Sequence, residues 1–586
     1  MQDDVEREKW VSLGQRWADA DPDAADAQAL RRIIADRDDL ALRQCFEPPL
    51  EFGTAGLRGV VGPGPARMNR AVVRRVTQAL QNVVQRRADS SNQGPPGGRA
   101  SIVLGFDGRI DSRRLAREAV GVLAANQAPV AFFDHPVPTP LVAFAALRLA
   151  APAAIVVTAS HNPPEYNGYK VYGADAIQIV PPFDVEVTSE LDQVGPANEI
   201  PCQLEAFDGV SAVAQRLGDD VGVAYIDAVL AGRARGASAR PIRIAYTPLH
   251  GVGASWAERV LERAGYNDVV IEPSQHEIDG HFPTVRFPNP EEPATIERGL
   301  RLARDVSADV LLVNDPDADR MGAALRNRDG TFRILSGNEI GIILTDYLLS
   351  QCEEPARAAV AATIVSTPMV RRIALRYGAH VETTMTGFKW LWTAMRSLES
   401  SDDRRFTLCW EEALGYSTHA AVRDKDGIAA ALVMADWVSH CQAHGVTPVE
   451  YLAELYRRHG VWASAPLNVV RSVATGAVEI HRMIRQLAND PPKELAGRRV
   501  TSVTDFNEGV ESRPCWLGAS TMFVVDIEGG ARIVVRPSGT EPKLKCYADV
   551  EASLGSSTDP LAEYDRAKSV AAALNEALVC RLELAL

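Results

Sequence analysis

From about residue 101 the chain alternates short apolar runs with amphipathic stretches. The segment SIVLGFDGRIDSRRLAREAVGVLAANQAPVAFF (101–133) opens on an apolar strand, passes through a loop into an amphipathic helix and closes on a second apolar strand. The same order returns in IRIAYTPLHGVGASWAERVLERAGYNDVVIE (242–272) and, with a weaker pattern, in AAVAATIVSTPMVRRIALRYGAHVET (358–383). Strands alternating with helices predict parallel α/β units. Each copy is followed by one more short apolar strand that runs into a polar loop: AAIVVTASHNP (153–163), ADVLLVNDPDADR (308–320) and RFTLCWEEALGY (405–416). In open parallel sheets ligands bind beyond the carboxyl ends of the strands. Three related domains would therefore each offer one loop to a shared cleft.

The ends of the chain read differently. Residues 1–50 are acidic and helix-periodic, with Trp10, Leu13, Trp17, Leu30, Ile33 and Ile34 at the positions expected to be buried. From about 463 the pattern changes to short strands, such as TMFVVD (521–526) and ARIVVRPSG (531–539), and a final helix from about 559. The stretch SSNQGPPGG (90–98) has the composition of a surface loop. The expected fold class is α/β with four domains: three related mixed-sheet domains and a smaller α+β domain. The expected boundaries are 1–50 for an N-terminal helical extension, then 51–215, 216–337 and 338–462 for the α/β domains, and 463–586 for the last. A length of 586 residues, at roughly 150 per domain, is compatible with four.

Composition narrows the function classes. Apolar residues make up 46% and charged residues 24%, and 43 glycines with 36 prolines are too few for a low-complexity chain. A net charge of −14 argues against coating nucleic acid or an anionic membrane, but leaves room for one basic pocket for a phosphorylated metabolite. The expected partner is a small molecule, with neither nucleic acid nor membrane involved. The start, Met1-Gln2-Asp3-Asp4, lacks the basic and apolar parts of a secretory signal. The most apolar window, Val142 to Ala159, contains Arg148 and Pro152 and reads as a buried helix–strand pair. Eight cysteines without a C-x-x-C pair suggest reduced thiols in a cytoplasmic protein. None of this speaks to oligomeric state.

The loops carry the candidate chemistry. DPDADR places Asp315, Asp317 and Asp319 at alternate positions after a strand, and in an extended segment alternate side chains share one face. Converging carboxylates repel unless a hard divalent cation sits among them, and Mg²⁺ takes oxygen ligands while leaving places for phosphate. An EF-hand is excluded, because its sixth and twelfth positions would be Arg320 and Arg326 instead of Gly and Glu. TASHNPPEYNGYK sets Ser160 and His161 at another strand mouth, with His161 and Lys170 close enough in sequence to be proton carriers or charge partners. A phosphoserine there would need cations against roughly −1.5 to −2 units of charge; an N-cap serine is the plainer alternative. Ser160 is not in a G-x-S-x-G elbow, which disfavours esterase chemistry.

RPSGTEPK offers Arg536, Ser538, Gly539 and Thr540, with Lys543 and Lys545 behind, as a compact phosphate cradle. GTAGLRG (53–59) surrounds Arg58 with glycines that permit close backbone approach. WEEALGY brings Glu411 and Glu412 to a strand end, where carboxylates can accept from sugar hydroxyls. TMTGFKW (384–390) and RDKDG (423–427) add Gly387, Lys389 and Lys425 as further contacts.

These loops, in this order, resemble the α-D-phosphohexomutases, the phosphoglucomutase/phosphomannomutase family, from about residue 50 to the end. FGTAGLRG, DPDADR and TGFKW are closest to the branch that handles phosphoglucose and phosphopentose. The resemblance implies a four-domain fold around one cleft. It makes Ser160 the phosphorylated serine beside His161, and Lys170 a proton carrier. Asp315, Asp317 and Asp319 would hold Mg²⁺ together with an oxygen of the phosphorylated Ser160, while Arg58 and Arg320 support the moving phosphoryl group. It also implies that Glu411 binds sugar hydroxyls, that Gly387 and Lys425 contact substrate, and that Arg536, Ser538, Gly539 and Thr540 grip the non-reacting phosphate. Many members carry Ser two residues after the sugar-binding Glu, where this chain has Ala413.

The implied reaction moves phosphate between C1 and C6 (or C5) of an aldose phosphate, through a phosphoserine enzyme and a sugar 1,6-bisphosphate that serves as activator and intermediate. Glucose phosphate is the first expectation; mannose and pentose phosphates are alternatives. Two other classes are a Mg²⁺-dependent phosphatase with Asp315 or Asp317 as nucleophile, which leaves the 160 and 536 loops without a task, and a silent sugar-phosphate sensor.

Overall fold

The computed structural model describes residues 2–53, 56–91, 101–235, 237, 240–472, 476–538, 543–555 and 559–583, with backbone alone for 2–6 and 91. The chain forms two compact units. The first comprises residues 1–233, 243–322 and 419–432; the second comprises 234–242, 323–418 and 433–586.

The first unit is built on two sheets. Ile102–Phe106 is buried at every position, as expected of a strand whose two faces are both covered. It lies parallel to Val130–Phe132 on one side and to Ala154–Val157 on the other. Ala214–Arg216 extends the sheet in parallel, while Tyr166–Tyr172 and Leu57–Val60 close the other edge antiparallel. The helix Ser112–Ala125 turns Leu115, Ala119, Val120 and Leu123 into the core of this sheet. The second sheet has three parallel strands in this unit, with Ile244–Thr247 between Val269–Ile271 and Val310–Asn314. In both, the strand–helix–strand order follows the sequence pattern, and the loops after Val157 and Asn314 leave from strand C-termini.

Near the start of the chain, Gln2–Ala20, Ala24–Ala35 and Asp39–Gln44 are helices. Trp10, Leu30, Leu42 and Phe46 form their own small core, with Leu13, Trp17, Ile33 and Ile34 partly buried against it. Trp17 also packs on the core of the first sheet. Asp23 caps the second helix by accepting from the Ala25 N–H at 3.0 Å.

In the second unit, Ala358–Thr363 pairs in parallel with His380–Thr384 and with Arg405–Glu411. Arg405–Glu411 then turns back antiparallel onto Gly415–Ser417. The C-terminal sheet is antiparallel, in the order Val461–Val470, Lys543–Ala552, Ala531–Pro537, Phe523–Ile527, Arg498–Asp505. Helix Pro560–Glu583 packs on it. Among the described residues no helix is long and apolar enough to cross a membrane. Val142–Ala159 forms a buried helix and strand, Thr139–Arg148 and Ala154–Val157.

One expectation needs correction. Asp315 to Asp319 is a turn, not an extended segment. Ala318 N–H donates to the Asp315 carbonyl at 2.9 Å and Ala318 takes φ +56°, so the carboxylates converge by chain reversal. The stretch 90–98 begins inside helix Arg70–Ser91, and its remainder lies outside the described residues.

Candidate active site

Ser160 sits just beyond strand Ala154–Val157, is 1% exposed and takes φ +51°. Its Oγ donates to Asp315 Oδ2 at 2.7 Å and lies 3.2 Å from His161 Nδ1. The serine of one strand tip and the acidic triplet of another are therefore in direct contact.

The triplet is fixed by backbone and side chains alike. Arg320 N–H donates to Asp315 Oδ1 at 3.0 Å, and Asn314 Nδ2 donates to the Arg320 carbonyl at 2.6 Å. Thr139, at the start of its helix, donates through N–H to the Asp317 carbonyl at 3.0 Å and through Oγ1 to Asp317 Oδ2 at 2.7 Å. Lys170 lies within strand Tyr166–Tyr172, is fully buried, and donates from Nζ to Asp317 Oδ2 at 2.8 Å and Asp319 Oδ2 at 2.9 Å. Lys425 Nζ lies 3.4 Å from Asp319 Oδ2.

One oxygen from each carboxylate lies within 4.8 Å of the others, all three residues being buried. Asp317 Oδ1 and Asp319 Oδ1 are buried and make no hydrogen bond. Orphaned carboxylate oxygens are costly in a protein interior, and a hard divalent cation is the chemistry that satisfies them. The donor set fits such an ion.

The electrostatics follow from burial and close charges. Asp315 is pushed well above the ordinary carboxyl range, by burial first and then by Asp317 and Asp319. Burial acts the same way on Asp319, yet Lys170, Lys425 and Arg320 hold it below that range. Burial works against the Lys170 charge, but Asp317 and Asp319 prevail and keep it protonated. His161 falls well below its usual value, through burial and then the charges of Arg320 and Arg58, so it is a neutral imidazole. Arg58 donates to Asn162 Oδ1 at 3.2 Å, which joins the glycine-rich segment to the serine loop. Arg320 Nη1 lies 3.6 Å from Glu291.

The structure thus brings together Arg58, Ser160, His161, Lys170, Asp315, Asp317, Asp319, Arg320 and Lys425 in the first unit. Glu411 ends its strand in the second unit; its neighbour Glu412 accepts from Thr363 Oγ1 at 3.2 Å. Gly387 precedes helix Phe388–Ser401 with φ +113°. Arg536 is on strand Ala531–Pro537, with Nη2 3.4 Å from Tyr547 OH, and Ser538 follows the strand, its N–H donating to the Lys543 carbonyl at 2.8 Å. Gly539 and Thr540 lie outside the described residues.

Sequence reasoning missed several supports. Asp424, fully buried beside Lys425, accepts from Tyr172 OH and from Gln178 Nε2, each at 2.7 Å. Asp426 accepts from Tyr225 OH at 3.0 Å and lies 3.0 Å from His419 Nε2. Asp107 and Arg109 stand just past the end of strand Ile102–Phe106. The strand-tip rule that singled out the other loops applied equally to FDGR, and a paired Asp and Arg there was the available signal.

Four family descriptions match the chain in order. Phosphoglucomutase/phosphomannomutase alpha/beta/alpha domains I, II and III match residues 49–197, 223–330 and 336–459, and the C-terminal domain matches 492–554. A probable phosphomannomutase of Haemophilus influenzae is 35% identical over 79% of this chain and 91% of its own length. The phosphopentomutase of Homo sapiens is 30% identical over 95% of this chain and 92% of its own. A phosphoglucomutase of Staphylococcus haemolyticus is 32% identical over 86% and 91% respectively. The solved structure of a putative phosphomannomutase from Thermus thermophilus superposes with a TM-score of 0.66 at 22% identity, over 91% of this chain and 99% of that one, and shares the fold.

The fold and these matches define a phosphosugar mutase, an enzyme that shifts a phosphoryl group within one sugar. The chain belongs to the phosphoglucomutase/phosphomannomutase family.

Proposed function

We propose that the protein interconverts the 1-phosphate and the 6-phosphate (or 5-phosphate) of an aldose, through a phosphorylated Ser160 and a sugar 1,6-bisphosphate, with glucose phosphate as its principal substrate. The observation that carries this reading is the 2.7 Å contact between Ser160 Oγ and Asp315. A phosphoester formed on that hydroxyl would sit against the acidic triplet, and its charge of roughly −1.5 to −2 would need the nearby cations.

Asp315, Asp317 and Asp319 would hold Mg²⁺, with an oxygen of phosphorylated Ser160 as a further ligand. The bound ion supplies charge neutralisation for the phosphoryl group. The remaining work belongs to side chains. Arg58 and Arg320 offset charge on the moving group, since phosphoryl transfer depends mainly on positioning and electrostatics. Lys170, kept protonated by its carboxylate partners, donates a proton or a charge. Neutral His161, 3.2 Å from Ser160 Oγ, can accept the hydroxyl proton or return it to the departing serine oxygen. To Lys425, Glu411 and Gly387 we assign sugar recognition, and to Arg536, Ser538, Gly539 and Thr540 the non-reacting phosphate. We also retain the domain limits 1–50, 51–215, 216–337, 338–462 and 463–586.

Ser160→Ala should abolish turnover and prevent label transfer from phosphate-labelled glucose 1,6-bisphosphate to the protein; undiminished turnover would refute the assignment. Chelation should stop turnover and added Mg²⁺ should restore it. A kcat/KM panel on glucose, mannose, ribose and deoxyribose 1-phosphates decides the substrate. Ala413 and the mannose and pentose names among the relatives make those sugars the alternatives.

A further inference from the structure

The loop that bears Ser160 is gripped from beneath by one side chain. Arg109 is 4% exposed. Its Nη2 donates to the carbonyl oxygens of Ser160, at 2.6 Å, and of Asn162. Its Nη1 donates to those of Pro163 at 2.8 Å and Tyr166 at 3.1 Å. Its Nε lies 3.3 Å from Asp107 Oδ2, and the ring of Phe282 lies 5.1 Å from the guanidinium. Asp107 also accepts from the Arg109 N–H at 3.1 Å, from Ser112 Oγ, and from Thr158 Oγ1 at 2.6 Å. Thr158 Oγ1 in turn accepts from the Ser160 N–H at 2.8 Å. Both sides of the Ser160 backbone are thereby tied to one Asp–Arg pair.

This arrangement answers a specific need. Ser160 is in the left-handed region at φ +51°, which disfavours residues with a Cβ and persists only where the surroundings impose it. A planar fork of donors can bind several carbonyls at fixed angles, whereas an ammonium is a single flexible point. A buried Arg serving stability alone would be satisfied by its carboxylate. Here the terminal nitrogens go to carbonyls of the serine loop.

We propose that Arg109, oriented by Asp107 and linked through Thr158, is the positioning residue that sets the Ser160 backbone so that Oγ meets the acidic triplet, and that it therefore governs the transfer step and not the binding of sugar phosphate. The proposal rests on the assignment of Ser160 as the phosphorylated residue.

The test uses the full chain with Mg²⁺, glucose 1-phosphate and glucose 1,6-bisphosphate. Displacement of a reacting group by about 1 Å can cost on the order of a hundredfold in rate. Arg109→Lys should thus lower kcat by about a hundredfold while KM stays within about twofold, the split expected when only the transition state loses support. The single-turnover rate of label transfer to Ser160 should fall in step. Thr158→Val, close in shape to the parent, cuts the link to Asp107 and should give the same split, so the idea stays testable if the Lys variant fails to fold. Parent kcat in a folded Arg109→Lys or Thr158→Val, or a raised KM with kcat kept, would overturn the proposal. Ser160→Ala is measured alongside. If it remains active, the phosphoserine assignment itself fails; if it is dead while the other variants turn over normally, only the positioning role fails.

Discussion

Asp26 shows what burial does to a single carboxylate. It lies in the first turn of helix Ala24–Ala35, where negative charge is ordinarily favourable. Yet its pKa is pushed up to about 6, by burial first and then by Asp23 and Asp21, and its Oδ2 is buried without a hydrogen bond. A carboxyl whose folded value exceeds its unfolded value binds its proton more tightly in the folded state. The stability it contributes is present below about pH 4, declines as pH rises toward about 6, and is replaced by a constant cost above that. Asp26→Asn should therefore stabilise the protein at pH 7.5, by about 1 kcal/mol once screening of its exposed side is allowed for. Thermal unfolding over a pH series should show that gain shrinking as pH approaches 4. A gain independent of pH would mean that charge is not the cause. The same physics separates the three clustered aspartates, which are identical in sequence terms. Asp315 faces Ser160, while Asp317 and Asp319 face Lys170.

Between elements, the site depends on loops approaching more closely than side chains allow. Gly427 packs on the triplet turn, with its N–H donating to the Ala318 carbonyl at 3.1 Å. A Cβ added there would lie 2.3 Å from the Arg320 carbonyl oxygen and 2.6 Å from Asn314 Nδ2. Backbone at that distance cannot yield without moving the turn that holds Asp315 and Asp319. Gly427→Ala should lower kcat by about a hundredfold through misplacement, with a stability cost of about 1–3 kcal/mol. Steady-state kinetics beside a melting curve reads both, and parent kcat would show that the turn tolerates the shift. Gly251 approaches the same turn as closely, for a Cβ there would meet Pro316 Cα at 2.3 Å. Both glycines were visible in the sequence, in HGVG and RDKDG, but the reason for them was not, because it concerns backbone far away along the chain.

At the level of the whole chain, the backbone crosses from one unit to the other within strand Met321–Arg326 and returns for residues 419–432. That returning segment completes the first unit, since the fully buried hydroxyls of Tyr172 and Tyr225 find their acceptors in Asp424 and Asp426. A chain ending at Gly322 would leave both hydroxyls unpaired, at about 1–3 kcal/mol each. Joining 419–432 to it through a flexible linker should raise its melting temperature. Equal melting of the shortened and the rejoined chains would show that the segment adds nothing. Within the second unit, Ile364, Val365 and Met385 share a core with Phe506, Met522, Val524 and Val534, and Arg532 Nη2 donates to the Ser366 carbonyl at 2.9 Å. The C-terminal sheet is therefore packed against its neighbour in this structure.

The repeating α/β elements, the helical start, the strand-tip loops and the residue types able to hold phosphate and a divalent cation were all legible in the order of amino acids. Hydrophobic period and turn residues are local properties, and those loops lie where the period breaks. Three features came only from the folded arrangement. Asp315 is the carboxylate at Ser160, a reversed chain and not an extended one gathers the triplet, and Asp107, Arg109 and Thr158 hold the serine. Each of these depends on contacts between residues distant in the chain and on burial, and neither is encoded in any short window of sequence.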